Sequence, residues 1–169
     1  VDTLWMVPAA RAAEARQRYG EVGCRWLECP LEPEDLAGHR QLLQHPGAPI
    51  ALGEHFRTHY QTAAWFETPP ALEVYQPDVG RTGLSDGLRQ LAQARAAGVP
   101  VTPHMGNGLG PFQAATLHFA AACGDECLQE YQAGLAQRAA LVGTTAWRSA
   151  DGAFRLPDAP GLGVEGDEA

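Results

Sequence analysis

Short apolar runs alternate with longer amphipathic stretches along the chain, and the alternation predicts strands separated by helices. Residues 24–27 (C-R-W-L) read as a buried strand, with further strands at 49–52 (P-I-A-L), 72–76 (L-E-V-Y-Q) and 99–102 (V-P-V-T). Helix-like stretches fall at 8–19, 33–44, 58–67, 85–97 and 111–122. Ser85 is placed to cap the helix it opens, Gly98 to end that helix in a left-handed conformation, and Pro111 to sit in the first turn of the last one. From Ser149 onward Gly, Pro and Asp accumulate and the chain reads as irregular. Regular strand–helix alternation predicts an α/β fold with a parallel sheet and helical crossovers.

The polar positions add a second regularity. Asp2, Glu28, Glu54, Asp78, His104 and Glu130 each follow an apolar run, at separations of 26, 26, 24, 26 and 26 residues. That interval is the length of one βα unit, although the sequence itself does not repeat. In a (β/α)8 barrel the strand C-termini converge on one face, so six such groups would share a pocket. Taken singly, each acid also fits a solvated loop; the common period is what favours a shared site.

Two kinds of chemistry follow. Asp2, Glu28 and Glu54 come from consecutive units, and three carboxylates brought together need a cation to offset their repulsion. An oxygen-only set without His or Cys favours Mg²⁺. Asp78 beside His104 would fix the imidazole tautomer and raise its basicity, giving a group that moves a proton near neutral pH. Glu130 could meet a developing oxyanion from the other side if its carboxyl is held protonated. The set suggests removal of a proton next to a carboxylate through an enediolate.

Composition narrows the field. Hydrophobic residues make up 45% and charged residues 19%, so the chain should fold. The formal net charge is −8 and no Lys is present, which argues against nucleic-acid or anionic-membrane partners. No apolar run approaches the ~20 residues that span a bilayer. Cys24, Cys29, Cys123 and Cys127 lack zinc-type spacing and read as reduced, core-filling residues, which with the missing leader points to the cytoplasm.

The residues V-D (1–2), R-W-L-E-C-P-L (25–31), I-A-L-G-E-H (50–55), Q-P-D-V-G-R-T-G (76–83), G-V-P-V-T-P-H (98–104) and L-P-D-A-P-G-L-G-V (156–164) resemble the enolase superfamily in its mandelate racemase branch. The resemblance implies a partial TIM (β/α) barrel, about strands 3 to 8 of the enolase C-terminal barrel domain. Residues 1–148 would form the barrel part and 149–169 an irregular C-terminal segment of the same domain. It implies Mg²⁺ ligation by Asp2, Glu28 and Glu54, catalysis by His104 with Asp78, and contact of Glu130 with the enolate. The G-E-H at 53–55 resembles sugar-acid dehydratases.

The departures are local except for one. Cys29 stands where the family often has a second acid, Leu4 removes a third-strand base, and R-T-G-L replaces a common G-G pair. The larger departure is that the family's N-terminal capping domain and first two strands, the second often bearing a basic residue, would precede Val1. With 169 residues against the ~250 of a whole barrel, the chain reads as part of a larger domain.

Other residues carry open alternatives. Gly106 and Asn107, in G-N-G-L-G, could contact substrate hydroxyls beside His104 or form a plain turn. His55 could reach the substrate or serve in a supporting position. His39, His45, His59 and His118 read as structural or exposed, and Trp5, Trp26, Trp65 and Trp147 as packing. The expected reaction is Mg²⁺-dependent dehydration of a sugar acid to a 2-keto-3-deoxy acid; racemisation or epimerisation of a 2-hydroxy acid is the alternative. A third reading is an inactive truncated fragment or metal-binding half-barrel. Expected partners are a small-molecule carboxylate and, at full length, further copies of the same chain.

Overall fold

The computed structural model describes residues 1–106, 108–132, 134–141, 149–156 and 158–164. Among these, strands β1 (Leu27–Glu28), β2 (Ile50–Leu52) and β3 (Val74–Tyr75) form a parallel sheet in chain order. The register pairs Leu27 with Ile50, Glu28 with Ala51, Ala51 with Val74, and Leu52 with Tyr75. Single parallel bridges extend the sheet at both edges, Asp2 to Glu28 and Tyr75 to Val101. Consecutive parallel segments joined by helical crossovers are the arrangement that the alternating pattern predicted.

The helices are α1 (Ala9–Glu21), α2 (Leu36–Leu42), α3 (His59–Thr62) followed by a 3₁₀ turn (Ala63–Trp65), α4 (Val79–Ala96), α5 (Pro111–Cys123) and α6 (Leu135–Leu141). The expected helix at 111–122 forms within a residue of its predicted bounds, with Pro111 in its first turn. By contrast, α4 begins six residues before Ser85. Asp78 caps it by accepting from the Gly80 N–H at 2.8 Å, and Gly83, at φ 67°, interrupts the helix before Ser85. Gly98 takes the expected left-handed conformation at φ 70°. The stretch at 58–67 yields only one α-turn and a 3₁₀ turn, and α6 was not anticipated.

Two predicted strands are weaker than their sequences suggested. Residues 99–102 contribute a single bridge, and Glu130 lies on irregular backbone instead of a strand end. What forms is an α/β unit whose three strands correspond to part of the expected barrel.

The main core lies between the sheet and its helices and includes Leu27, Ile50, Leu52, Trp65, Leu72 and Tyr75. Burying apolar side chains of this size contributes roughly 1.5–3 kcal/mol each. One cation enters this layer. Arg16 of α1, 4% exposed, donates to the carbonyls of Leu42 and Ala48 at 2.8 and 3.0 Å and to Glu73 at 2.8 Å. The Glu73 carboxylate also accepts the Ile50 N–H at 2.9 Å, so α1 is tied directly to the start of β2. Such pairing is what allows a guanidinium to be buried at all. Among the described residues, no helix is long and apolar enough to cross a membrane.

Candidate active site

The C-terminal ends of the parallel segments carry the polar residues. Glu28 ends β1, and Glu54 follows β2 after Gly53. Gly53 has φ 145°, and a Cβ there would come within 2.5 Å of the Tyr75 ring, so the approach of β2 to β3 at this rim requires glycine. Asp78 leaves β3 as the cap of α4, and His104 follows the Val101 bridge. The His104 N–H donates to the Pro77 carbonyl at 3.1 Å, which locks the two rim segments together.

His104 is the centre of the arrangement. Its Nδ1 lies 2.9 Å from Asp78 Oδ2. With Nδ1–H directed at that carboxylate, Nε2 is the atom available to accept and return a proton. Nε2 is 3.1 Å from Glu54 Oε2 and 3.6 Å from Glu130 Oε2. Burial works against the charged imidazole, but the Asp78 hydrogen bond and the negative charges of Glu54, Glu130 and Asp78 outweigh it, so the pKa lies above its ordinary 6.5.

Glu130 reaches this cluster from its irregular segment. Its Oε2 accepts the Met105 N–H at 2.7 Å and its Oε1 the Gln132 amide at 2.9 Å. Burial is the largest influence on its carboxyl, and the pKa is raised above 4.5 despite these donors and His104. A carboxyl that holds its proton longer than usual is the property expected of a donor to an oxyanion.

The other acids are close but not closed on one point. Asp2 is exposed and accepts the Leu4 N–H at 2.9 Å, while Glu28 accepts from the Trp26 indole at 3.1 Å. Glu54 turns to two imidazoles, with His55 Nε2 at 3.1 Å from Oε1. Among the described residues, no group of three His, Cys, Asp or Glu side chains is arranged to hold a metal ion. All three charges nonetheless act on one buried thiol. Burial pushes the Cys29 thiol far up, and Glu54, Glu28 and Asp2 each push it further. Three hard carboxylate donors on neighbouring rim positions have the chemistry of a magnesium site. Their side chains would have to rotate from their present partners to form one.

The remaining candidates divide. His55 packs edge-on against Trp5 with ring centroids 4.4 Å apart, on the side of the acids. Gly106 lies beside the imidazole, since a Cβ there would be 3.4 Å from His104 Cε1. Asn107 and Trp147 lie outside the described residues. Sequence reasoning missed the Met105 N–H and Gln132, which orient Glu130; their loop has no periodicity that could have marked them. It also missed Gln76, 4% exposed, whose buried Oε1 has no hydrogen-bond partner. The adjoining P-D of the rim was the available signal.

The family profile described as "Enolase C-terminal domain-like" matches residues 1–169. A D-galactonate dehydratase family member from Streptomyces bingchenggensis is 32% identical over 170 residues, covering 99% of this chain and 41% of that protein. A D-mannonate dehydratase from Caulobacter sp. is 33% identical over 146 residues, covering 85% of this chain and 36% of that protein. The crystal structure of L-talarate dehydratase from Polaromonas sp., complexed with Mg and L-glucarate, superposes with TM-score 0.83 at 24% identity, over 99% of this chain and 44% of that one, a likeness of fold. The chain thus spans about two fifths of the length of the curated relatives it matches.

Proposed function

The chain belongs to the enolase C-terminal domain-like family, and on that premise we propose that it supplies the proton-transfer half of a sugar-acid dehydratase. The reaction is removal of the proton α to a carboxylate, followed by loss of the β-hydroxyl to give a 2-keto-3-deoxy acid. The observation that carries this reading is His104, held by Asp78 at 2.9 Å, with Nε2 facing the carboxylates of Glu54 and Glu130. Dehydratase names among relatives near 30% identity favour dehydration over racemisation.

Each residue's part follows from its surroundings. Asp78 keeps the Nδ1 proton in place, so Nε2 takes the α-proton and then delivers a proton to the departing hydroxyl. Glu130, oriented by Met105 and Gln132, donates to the oxygen on which charge develops once its own carboxyl is protonated. Asp2, Glu28 and Glu54 would hold Mg²⁺, whose positive charge stabilises the substrate carboxylate as it gains charge. His55 and Gly106 flank the substrate's distal end, and Asn107 is assigned the same role from its sequence position alone.

Incubating the full-length protein with a panel of sugar acids in D₂O tests the reading. A 2-keto acid product is expected. Deuterium exchange without a keto product would replace dehydration with racemisation or epimerisation, and neither outcome with any acid would sink the proposal. For the metal, Mg²⁺ at about 100 times its Kd should stabilise the fold by about 2.7 kcal/mol. A melting curve indifferent to both Mg²⁺ and EDTA would remove the three acids from the metal role.

A further inference from the structure

Two buried glutamines on opposite faces of the sheet differ in how their amides are used. Gln90 of α4 is fully buried and satisfied on the helix side: Oε1 accepts the Tyr75 hydroxyl at 2.7 Å, and Nε2 donates to Asp86 at 3.2 Å. Gln76 is 4% exposed, and its buried Oε1 has no hydrogen-bond partner among the described residues. An acceptor withdrawn from water without a donor costs free energy, so buried polar atoms are normally paired. An orphan of this kind beside a reaction site marks the place of a donor that the bound molecule brings.

The sheet fixes the side on which Gln76 stands. Its N–H donates to the Leu52 carbonyl at 2.9 Å, so it continues the pairing of β3 with β2 by one residue. Successive side chains of a strand point to opposite faces. Tyr75 points into the helix layer, with its ring edge-on to Phe66 at 5.1 Å between centroids and its hydroxyl on Gln90. Leu27, Ile50 and Leu52 belong to the same core as Tyr75. Glu28, Ala51 and Val74, in register with one another, take the other face, and Gln76 is the next residue of β3 on that face. In strand order it lies between β2, which leads to Glu54, and the Val101 bridge, which leads to His104. The histidine in the helix layer with an orphaned Nε2, His39, packs against Trp65 instead, at 5.1 Å between centroids.

On the sugar-acid chemistry proposed above, we infer that Gln76 is a specificity-determining residue, whose Oε1 accepts a hydrogen bond from a substrate hydroxyl on one of the two reacting carbons. The α-proton goes to His104 Nε2 and the substrate carboxylate to the side of Asp2, Glu28 and Glu54. A side chain placed between Glu54 and His104 therefore stands next to the α- and β-carbons, both of which carry hydroxyls. Glu54, Asp78 and Glu130 already crowd this rim with carboxylates. A neutral amide oxygen binds a hydroxyl there without adding to the charge that repels the substrate carboxylate. A site with an acceptor waiting for that hydroxyl discriminates against the analogue that lacks it.

Gln76→Met keeps the length of the side chain and removes its amide. Because Oε1 has no partner to lose in the free protein, the melting temperature should not fall. Affinities are read by calorimetry in the full-length His104→Asn protein, which separates binding from turnover. The ligands are a panel of hexonates, with the 2-deoxy and 3-deoxy counterparts of each one that binds. Adding Gln76→Met should raise the Kd of the parent acid about tenfold, the scale of one hydrogen bond, and leave that of one deoxy acid unchanged. An equal loss for all three acids would make Gln76 a packing residue and overturn the inference. No loss for the parent acid, a lowered melting temperature, or a protein that binds no hexonate would overturn it too. Dehydration is judged separately, by keto-acid formation with His104 intact. A hydroxyl-dependent loss without any keto acid keeps Gln76 and removes dehydration; a keto acid with uniform loss does the reverse.

Discussion

Among the described residues two aspartate–histidine pairs have nearly equal contact distances, and they differ in what surrounds them. In the rim pair, His104 Nδ1 is 2.9 Å from Asp78, and Nε2 faces two further carboxylates. In the helix-layer pair, His59 Nδ1 is 2.7 Å from Asp86. Asp86 also accepts the His59 N–H at 2.6 Å, the Gln90 amide at 3.2 Å and Arg89 at 3.4 Å. Its neighbours are donors, and the pair staples α3 to α4. The rim pair is surrounded by acceptors that raise the basicity of the ring. The basicity of the rim pair is set by the charges beyond it as well as by its own contact.

The largest effect should come from breaking the rim pair. In the full-length protein, His104→Asn or Asp78→Asn should lower kcat by about 10²–10⁴-fold, the usual contribution of a positioned acid–base group. That corresponds to about 3–5 kcal/mol of barrier, and stability should fall by less than that, through the lost contacts of His104 with its carboxylates. Asp86→Ala should do the reverse. Removing an acceptor from four donors should cost about 1–3 kcal/mol of stability in denaturant melts, with kcat within a few-fold of its starting value. If both substitutions lowered kcat alike, the distinction between the pairs would be lost.

The contrast was only half legible in the sequence. Asp78 and His104 follow apolar runs at the βα interval, so their meeting could be read from period alone. His59 and Asp86 lie on helix-like stretches with no shared period, and their contact depends on how α3 packs against α4. The same limit explains the late start assigned to α4. Residues 79–84 read as a loop because Gly80 and Gly83 weaken helical propensity, yet the Asp78 side chain caps that turn and Phe112 packs over Gly80. Glu130 was placed by spacing on a strand that does not form, but its side chain still reaches the rim through Met105. Arg16 shows the remaining blind spot, because a cation on an Ala-rich amphipathic helix reads as solvent-facing until its carbonyl partners are known.

The pairs should also answer to pH in opposite senses. The His104 pKa is raised, so its charged form favours the fold; that contribution is complete below pH 6.5 and fades as pH climbs through the raised value. Asp86 is shifted the other way: burial alone would raise its pKa, but the His59 and Arg89 contacts bring it below 3.8. Its contribution is present above that value and fades as pH falls through the lowered one. Denaturant melts in EDTA should therefore lose stability on the alkaline side through His104 and on the acid side through Asp86. His104→Asn should flatten only the first slope and Asp86→Ala only the second. A slope that survives its own substitution would assign the titration to another group.

The smallest expected effect, and the finest test of what surrounds the rim pair, is Glu130→Gln. The amide keeps an oxygen for the Met105 N–H, and its nitrogen faces Gln132, which can turn its own amide oxygen to meet it. Stability should thus change by under about 1 kcal/mol at neutral pH. The substitution also removes a negative charge 3.6 Å from His104 Nε2, one of those that hold the imidazole pKa up. The alkaline midpoint for His104 should then move to lower pH while the acid limb set by Asp86 stays where it is. An unmoved alkaline midpoint would mean that Asp78 and Glu54 alone set the basicity of the ring.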